Sequence, residues 1–515
     1  MKQTAISALT LEQKAARLCV AGLPVLRMDS EFEERLLRQP FGGIGLFPHN
    51  IEDEEQLREL VGGIMDSTHK QGLPAPYMIS IDEEGGSLSN LKRFFPQLPS
   101  NRAVGLTMDP GAAYQQGKLI GSQLSALGIP MDWAPVLDVN TNIANPVVGI
   151  RSFGEEPAQV AEFGAAYIRG MHDAGVAVTC KHFPGHGQVD GDSHIELPFC
   201  GLTLEELRRG PLLPFKAAIS ADTDVIMMAH IVFPSILEAE DLPASLSPFF
   251  ITRLLREEMG YEGVICTDDV EMGAIRNTYE PEFIGEMAIK AGNDLILMCH
   301  TPDFQTRVIQ GIVNAVSEGR IPESKLNESL VRIERLHERM RFYRHEASPI
   351  PQAEWEIQTA GLTRRTLMLE SDPQKLLPLQ RGKRYGLLLP QPERLTMADN
   401  SHTGVIQLKM RLESRGLEVS EVVIPSNPDP EDIAYAIARM EDCDVVIQLT
   451  LNAHIFIGQL ALAEAVAKSK PLIAAVLRNP YDAQRLPKTA AQILVCSTSE
   501  YSLEALADLL TECTE

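Results

Sequence analysis

Residues 181–194 gather side chains that a scaffold rarely needs in one place. They read Lys181-His182-Phe183-Pro184-Gly185-His186-Gly187, then Gln188-Val189-Asp190-Gly191, then Asp192-Ser193-His194. Three histidines, a lysine and two aspartates share a stretch held by glycines and a proline. An apolar, β-branched run at residues 176–180 precedes it and reads as a buried strand. In an extended loop, residues i and i+2 point the same way. Asp192 can then accept a hydrogen bond from the ring of His194, which fixes the tautomer and raises its basicity. A histidine so held suits general acid/base work at neutral pH. Taken alone, Asp192-Ser193-His194 is an ordinary turn; Lys181-His182 and the glycine framework beside it favour the chemical reading. Lys181 and His182 are neighbours, so on a regular strand they face opposite ways. If both reach one ligand the backbone must be irregular, and a non-proline cis peptide or similar strain is expected at 181–182 or 182–183.

Two further acidic stretches have the same form. In Cys266-Thr267-Asp268-Asp269 an apolar strand runs straight into two acids. Asp269 reads as a cap for the following helix. Asp268 then faces outward as a carboxylate nucleophile, a group that forms covalent glycosyl intermediates. In Ile81-Asp82-Glu83-Glu84-Gly85-Gly86 the glycines let the chain turn sharply, so that Asp82 can face a ligand. Asp is a good acceptor for sugar hydroxyls; a plain acidic surface turn is the alternative. His182, His186 and His194 with Asp268 are ligand types for zinc or iron. Their spacing matches neither HxH nor HExxH, so no metal and no cofactor is expected.

A chain of 515 residues suggests two or three domains. Its net charge of −24 argues against nucleic acid or an anionic membrane as partner. The eight cysteines include no CxxC pair. Cys180, Cys266 and Cys299 read as apolar fillers in a reducing compartment. The first residues lack the apolar run of a signal peptide, no stretch is long and apolar enough to span a bilayer, and a cytoplasmic location is expected.

Residues 1–345 alternate short apolar strands with amphipathic helices. Strands are expected at 43–47, 77–82, 131–135, 176–181, 225–230, 263–268 and 294–299. Helices include 157–174 and 204–209, the latter with Thr203 as N-cap and acids in its first turn. Seven or eight such units predict an α/β fold, a TIM-type (β/α)8 barrel. Polar residues end nearly every strand (Asp82, Asp132, Asp138, His182, His230, Asp268, His300), which fits a ring around one mouth. A doubly wound sheet would concentrate them at one switch point, and neither GxGxxG nor Walker A follows a strand. The charged helix at 325–346 closes this catalytic domain. Residues 346–383 read as a linker. Residues 384–515 read as an α/β sandwich, with strands at 385–389, 422–424, 444–449, 472–477 and 493–496. His454 and the turn Arg478-Asn479-Pro480-Tyr481-Asp482 are its most polar strand-end positions, read as a surface histidine and a turn.

The chain resembles glycoside hydrolase family 3, and within it the β-N-acetylglucosaminidase branch. The resemblance rests on residues 181–187 followed by Asp192-Ser193-His194. Supporting stretches are GGIGLFPHN (42–50), IDEEGG (81–86), APVLDV (134–139), RSFG (151–154), MAHIVFP (228–234) and TDDVEM (267–272), with 366–379 and LRNPYD (477–482) in the second part. It implies roles position by position. Asp268 corresponds to the catalytic nucleophile, His194 to an unusual histidine acid/base and Asp192 to its dyad partner. Asp82, Arg151, Lys181 and His182 correspond to residues that hold the terminal sugar. The branch uses no metal, and the implied reaction is exo removal of β-linked N-acetylglucosamine (GlcNAc) with retention, commonly from peptidoglycan fragments. The partner is a small carbohydrate, without nucleic acid or membrane. Ser87 and Asn90 stand where the family carries basic residues. A glycoside phosphorylase using the same site is the near alternative, and a metal-dependent barrel amidohydrolase the distant one.

Overall fold

The computed structural model describes residues 6–70, 78–189, 191–237, 242–400 and 406–512. Tyr77, the first residue of the strand expected at 77–82, Asp190 and the eighth cysteine, Cys513, lie outside them. Eight parallel strands close into a barrel: β1 (Cys19–Gly22), β2 (Gly43–Leu46), β3 (Met78–Ile81), β4 (Met131–Asp132), β5 (Ala177–Phe183), β6 (Val225–Met228), β7 (Val264–Asp269) and β8 (Leu295–Met298). Each strand pairs with its neighbours in chain order, and β1 closes the ring on β8 through Cys19↔Ile296 and Val20↔Leu297. Helices between strands pack outside. Their starts follow ordinary chemistry: Thr203 and Glu206 form a capping box, and Pro157 opens its helix, where a missing N–H costs nothing.

The sequence pattern locates seven of the eight barrel strands and misses β1. That strand has four residues and follows the helix Leu11–Arg17 after one residue, with no turn signal between them. The strands are buried on both faces, so their patterns are short apolar runs rather than alternations. The helix Glu323–Glu346 packs across the barrel.

Residues 346–383 carry the helix Trp355–Thr366 and the strand β9 (Met368–Ser371). β9 pairs antiparallel with β14 (Ala491–Leu494) at the edge of a second sheet. The remaining strands of that sheet are β10 (Arg384–Pro390), β11 (Glu418–Ile424), β12 (Val445–Thr450) and β13 (Leu472–Val476). The order is β9-β14-β13-β12-β10-β11, parallel apart from β9. Apolar clusters cover its two faces, the sandwich arrangement expected.

The two units touch through polar contacts and through a small apolar cluster of Ala103, Ile150 and Cys496. Asn140 Nδ2 donates to the Tyr481 hydroxyl at 2.7 Å, and Ser100 Oγ donates to the Cys496 carbonyl at 2.6 Å. The seven described cysteines are buried and unpaired. No helix of the described residues is long and apolar enough to cross a membrane.

Candidate active site

The carboxyl ends of the barrel strands surround a cavity of about 430 Å³, within the roughly 300–1,000 Å³ typical of small-ligand sites. Asp82, Arg151, Lys181, His182, His194 and Asp268 all line it. Asp192 stands behind His194. Asp132 does not face the cavity: it is fully buried and accepts the Glu83 N–H at 3.0 Å. Asp138 is buried too and acts on the two histidines around it.

One side of the cavity is a buried lattice of charge. Lys181 Nζ lies 2.5 Å from Asp82 Oδ1 and 2.7 Å from Glu84 Oε1. Arg151 grips Glu84 with two N–H groups at 2.8 and 2.9 Å. Burial alone would raise the Glu84 carboxyl; Arg151 and Lys181 outweigh it and hold it at about 2. Burial opposes the Lys181 charge, yet Asp82 and Glu84 keep its ammonium above the ordinary lysine range. Asp82 is expected here from the sequence; Glu84 is not. The i, i+2 spacing of Asp82 and Glu84 was the available signal, since alternate residues share a face. Glu83 turns the other way and accepts the Asn90 and Leu91 N–H groups; burial pushes it up to about 7.

Lys181 and His182 both line the cavity, and the peptide bond between them is cis. His182 Nδ1 donates to Asp138 Oδ2 at 2.7 Å, and its Nε2 lies 4.0 Å from Asp268 Oδ2. Asp138 Oδ1 accepts the His186 N–H at 2.6 Å. Asp268 Oδ1 accepts the N–H of Asp269 at 2.8 Å. Burial would raise the Asp268 carboxyl, but His182, His230 and His194 together hold it below its usual value. The side chain is therefore ionised at neutral pH, the state a carboxylate nucleophile needs. Asp269 is not a helix cap. Its Oδ1 accepts the N–H groups of Glu271 and Cys299, both at 3.1 Å, and its Oδ2 lies 3.0 Å from His300 Nε2.

Asp192 and His194 meet within a turn rather than along an extended loop. Oδ1 of Asp192 accepts both the His194 backbone N–H at 2.9 Å and the ring Nδ1–H at 2.6 Å. Nε2 is left as the ring nitrogen available to a ligand in the cavity. Burial would raise Asp192; its bonds to His194 hold it low. His186 is buried against Ser193, with Nε2 3.1 Å from Oγ, and burial pushes its pKa down to about 4. His182, His186 and His194 thus face three different partners. Among the described residues no three His, Cys, Asp or Glu side chains are grouped to hold a metal ion.

The fourth wall of the cavity comes from residues that the sequence does not single out. Arg394, Met397, Ala398 and Asn400, in the loop after β10 of the second unit, line the same cavity. Nothing local marks them, because a contact across some 310 residues leaves no periodic pattern.

The profile described as "Glycosyl hydrolase family 3 N terminal domain" matches residues 10–336. The chain belongs to glycoside hydrolase family 3. A β-hexosaminidase of Stenotrophomonas maltophilia (strain R551-3) is 34% identical over 302 residues, covering 57% of this chain and 87% of its own. One from Pseudomonas aeruginosa (strain LESB58) is 36% identical over 272 residues, covering 52% and 78%. The solved structure of a family 3 β-N-acetylglucosaminidase from Paenibacillus sp. str. FPU-7 superposes with a TM-score of 0.89 at 34% identity. It covers 98% of this chain and 97% of its own, so the likeness extends through the second unit. In this family 3 glycoside hydrolase the second unit touches the stretch around Ser87 and Asn90. Asn400 N donates to the Ser87 carbonyl at 2.9 Å, and Asn400 Nδ2 donates to Asn90 Oδ1 at 3.1 Å. Asn90 Nδ2 in turn donates to the Asp82 carbonyl at 2.6 Å.

Proposed function

We propose that this family 3 hydrolase is a retaining exo-β-N-acetylglucosaminidase. The observation that carries the reading is that one cavity is faced both by an ionised carboxylate, Asp268, and by a carboxylate-held imidazole, His194. Retention needs a nucleophile on one face of the anomeric carbon and an acid/base on the other. Asp268 attacks that carbon while His194 gives its Nε2 proton to the departing glycosidic oxygen. The leaving alcohol departs and a glycosyl ester forms on Asp268. A water then attacks the same carbon, His194 takes its proton back, and the ester bond to Asp268 breaks. Asp192 stabilises the imidazolium that exists between turnovers. Asp82, Lys181, His182 and Arg151 form the end of the cavity that grips the terminal sugar, with Glu84 fixing the two cations.

The names of the curated relatives and of the Paenibacillus structure support N-acetylhexosamine as the sugar. The resemblance of residues 181–194 supports peptidoglycan fragments as its source. Buried, unpaired cysteines are compatible with work in a reducing cytoplasm.

Hydrolysis of 4-nitrophenyl β-GlcNAc by wild type and Asp268→Ala tests the reading. The expected loss in kcat is at least about 10³-fold, as for removal of a covalent nucleophile. An active Asp268→Ala enzyme, or an initially α-configured product by NMR, would overturn it. Release of a sugar 1-phosphate in phosphate buffer would instead identify a phosphorylase.

A further inference from the structure

We propose that His186 is a positioning residue for the acid/base, and that it aims the Asp192–His194 pair through a hydrogen bond to the hydroxyl of Ser193. The inference rests on the reading of His194 as acid/base. It gives a task to the histidine of residues 181–194 that the reaction above does not use.

The backbone of His186 is anchored first. It follows β5, and its N–H donates to Asp138 Oδ1 at 2.6 Å. The other oxygen of that carboxylate accepts the Nδ1–H of His182 at 2.7 Å. The His182 and His186 rings stand edge to face with centroids 5.9 Å apart. Asp138 is fully buried. One carboxylate thus sets both the ring that faces Asp268 and the residue that reaches the acid/base turn.

The His186 ring has one polar partner. Its Nε2 lies 3.1 Å from Ser193 Oγ, and both residues are 2% exposed. Its Nδ1 is buried with no hydrogen-bond partner among the described residues. Burial lowers the ring's pKa to about 4, so at neutral pH it carries a single hydrogen. Placed on Nδ1, that hydrogen would be a buried donor without an acceptor. Orphaned buried N–H groups are rarer than under-satisfied acceptors, so the hydrogen belongs on Nε2, where it donates to Ser193 Oγ.

Ser193 stands between the two members of the pair. Its carbonyl accepts the Ala274 N–H at 3.2 Å, from the turn that follows Asp268. Behind it the turn closes, with Ile195 N and Glu196 N donating to the Asp192 carbonyl at 3.0 and 3.1 Å. Ser193 is therefore held at its carbonyl from the β7 side and at its hydroxyl from the β5 side. A residue fixed at two points fixes the neighbours on either side of it, and those neighbours are Asp192 and His194.

A misaimed acid costs most where the leaving group needs a proton. Ser193→Ala, His186→Gln, His186→Asn and the Ser193→Ala/His186→Asn double variant are compared with wild type and with His194→Ala. The substrates are N,N′-diacetylchitobiose, a poor leaving group, and 4-nitrophenyl β-GlcNAc, a good one. Ser193→Ala is expected to lose about tenfold in kcat/KM on the disaccharide and to stay within about threefold on the aryl substrate. His186→Asn, whose amide does not reach as far as Nε2, skews the ratio in the same way. His186→Gln, whose amide does, keeps it near wild type. The double variant is no more skewed than either single one, because both break the same bond. If a His186 variant does not fold, Ser193→Ala, which removes a single oxygen, decides. An unchanged ratio in Ser193→Ala, equal losses on both substrates, or losses that multiply in the double variant would overturn the inference. If His194→Ala itself shows no leaving-group dependence, the acid/base reading has failed instead, so the two failures are separable.

Discussion

At the scale of single residues, the two candidate reacting groups are tuned in different ways. Asp268 sits where burial alone would protonate it, and three imidazoles reverse that. One of the three, His182, is held by Asp138, so a second carboxylate fixes the ring that faces the first. His194 is held by Asp192, whose Oδ1 accepts its ring Nδ1–H at 2.6 Å. His194→Ala should therefore cost little on an activated aryl glycoside and far more, about 10²-fold or greater, on a disaccharide. Equal losses on both would remove His194 from the acid role. Glu84 gives a residue-scale prediction about stability. Its folded pKa of about 2 lies below its ordinary 4.5, so its contribution is fully present above pH 4.5 and is lost as pH falls through 2. The shift corresponds to something on the order of 3 kcal/mol. In Glu84→Gln, Arg151 and Lys181 lose a shared counter-charge, with an expected cost of roughly 3–5 kcal/mol near neutrality. Acid denaturation monitored by circular dichroism should show the wild-type advantage shrinking between pH 4.5 and 2. A gap that stays constant over that window would contradict the assigned role of Glu84.

At the scale of elements, the site depends on how closely loops can approach. Residues 185–189 lie against the loop 139–145: Asn142 N donates to the Gly187 carbonyl, and Asn145 Nδ2 donates to the carbonyls of His186 and Val189. A Cβ at Gly187 would stand 1.8 Å from the Val139 carbonyl oxygen. Gly187→Ala must separate the two loops, at an expected cost of about 1–3 kcal/mol, with an activity loss beyond what the drop in Tm explains. Thermal unfolding and kinetics at a temperature where the variant is folded would check both parts, and retained activity would show that the loops tolerate separation. Strand ends were the legible part of this arrangement, because a buried apolar run that stops at Asp, Lys or His has a direct physical meaning. Asp82, Lys181, His182 and Asp268 were visible for that reason. β1 was not, since four small residues directly after a helix carry neither period nor punctuation. The segment Asp192–His194 is a turn where an extended loop is expected: i, i+2 proximity suits both conformations, and the backbone bond from His194 N to Asp192 Oδ1 distinguishes them.

At the scale of the whole molecule, the second unit lines the candidate active-site cavity through Arg394, Met397, Ala398 and Asn400. Its sheet was legible in the sequence; its contacts with the barrel were not, because they are polar pairs and one small apolar cluster between distant positions. His454 shows the difference. It reads as a surface histidine, yet its side chain is 2% exposed, with Nδ1 2.8 Å from Asp482 Oδ1 and Nε2 3.1 Å from the Ile143 carbonyl of the barrel. Arg478, from the same family-like turn, pairs with Asp399 in the loop that lines the cavity, both side chains being largely buried. Truncating Arg478 leaves a buried carboxylate short of its cation, a loss of about 3 kcal/mol. The loop it holds carries Met397, Ala398 and Asn400, which line the cavity, so the effect should not stay in the second unit. Arg478→Ala is expected to lower Tm and, at a temperature where the enzyme is folded, to cut kcat/KM on N,N′-diacetylchitobiose by about tenfold, with less loss on the aryl substrate. A domain that merely rides beside the barrel would give the Tm change alone. Full disaccharide activity in a destabilised Arg478→Ala enzyme would separate the second unit from the chemistry.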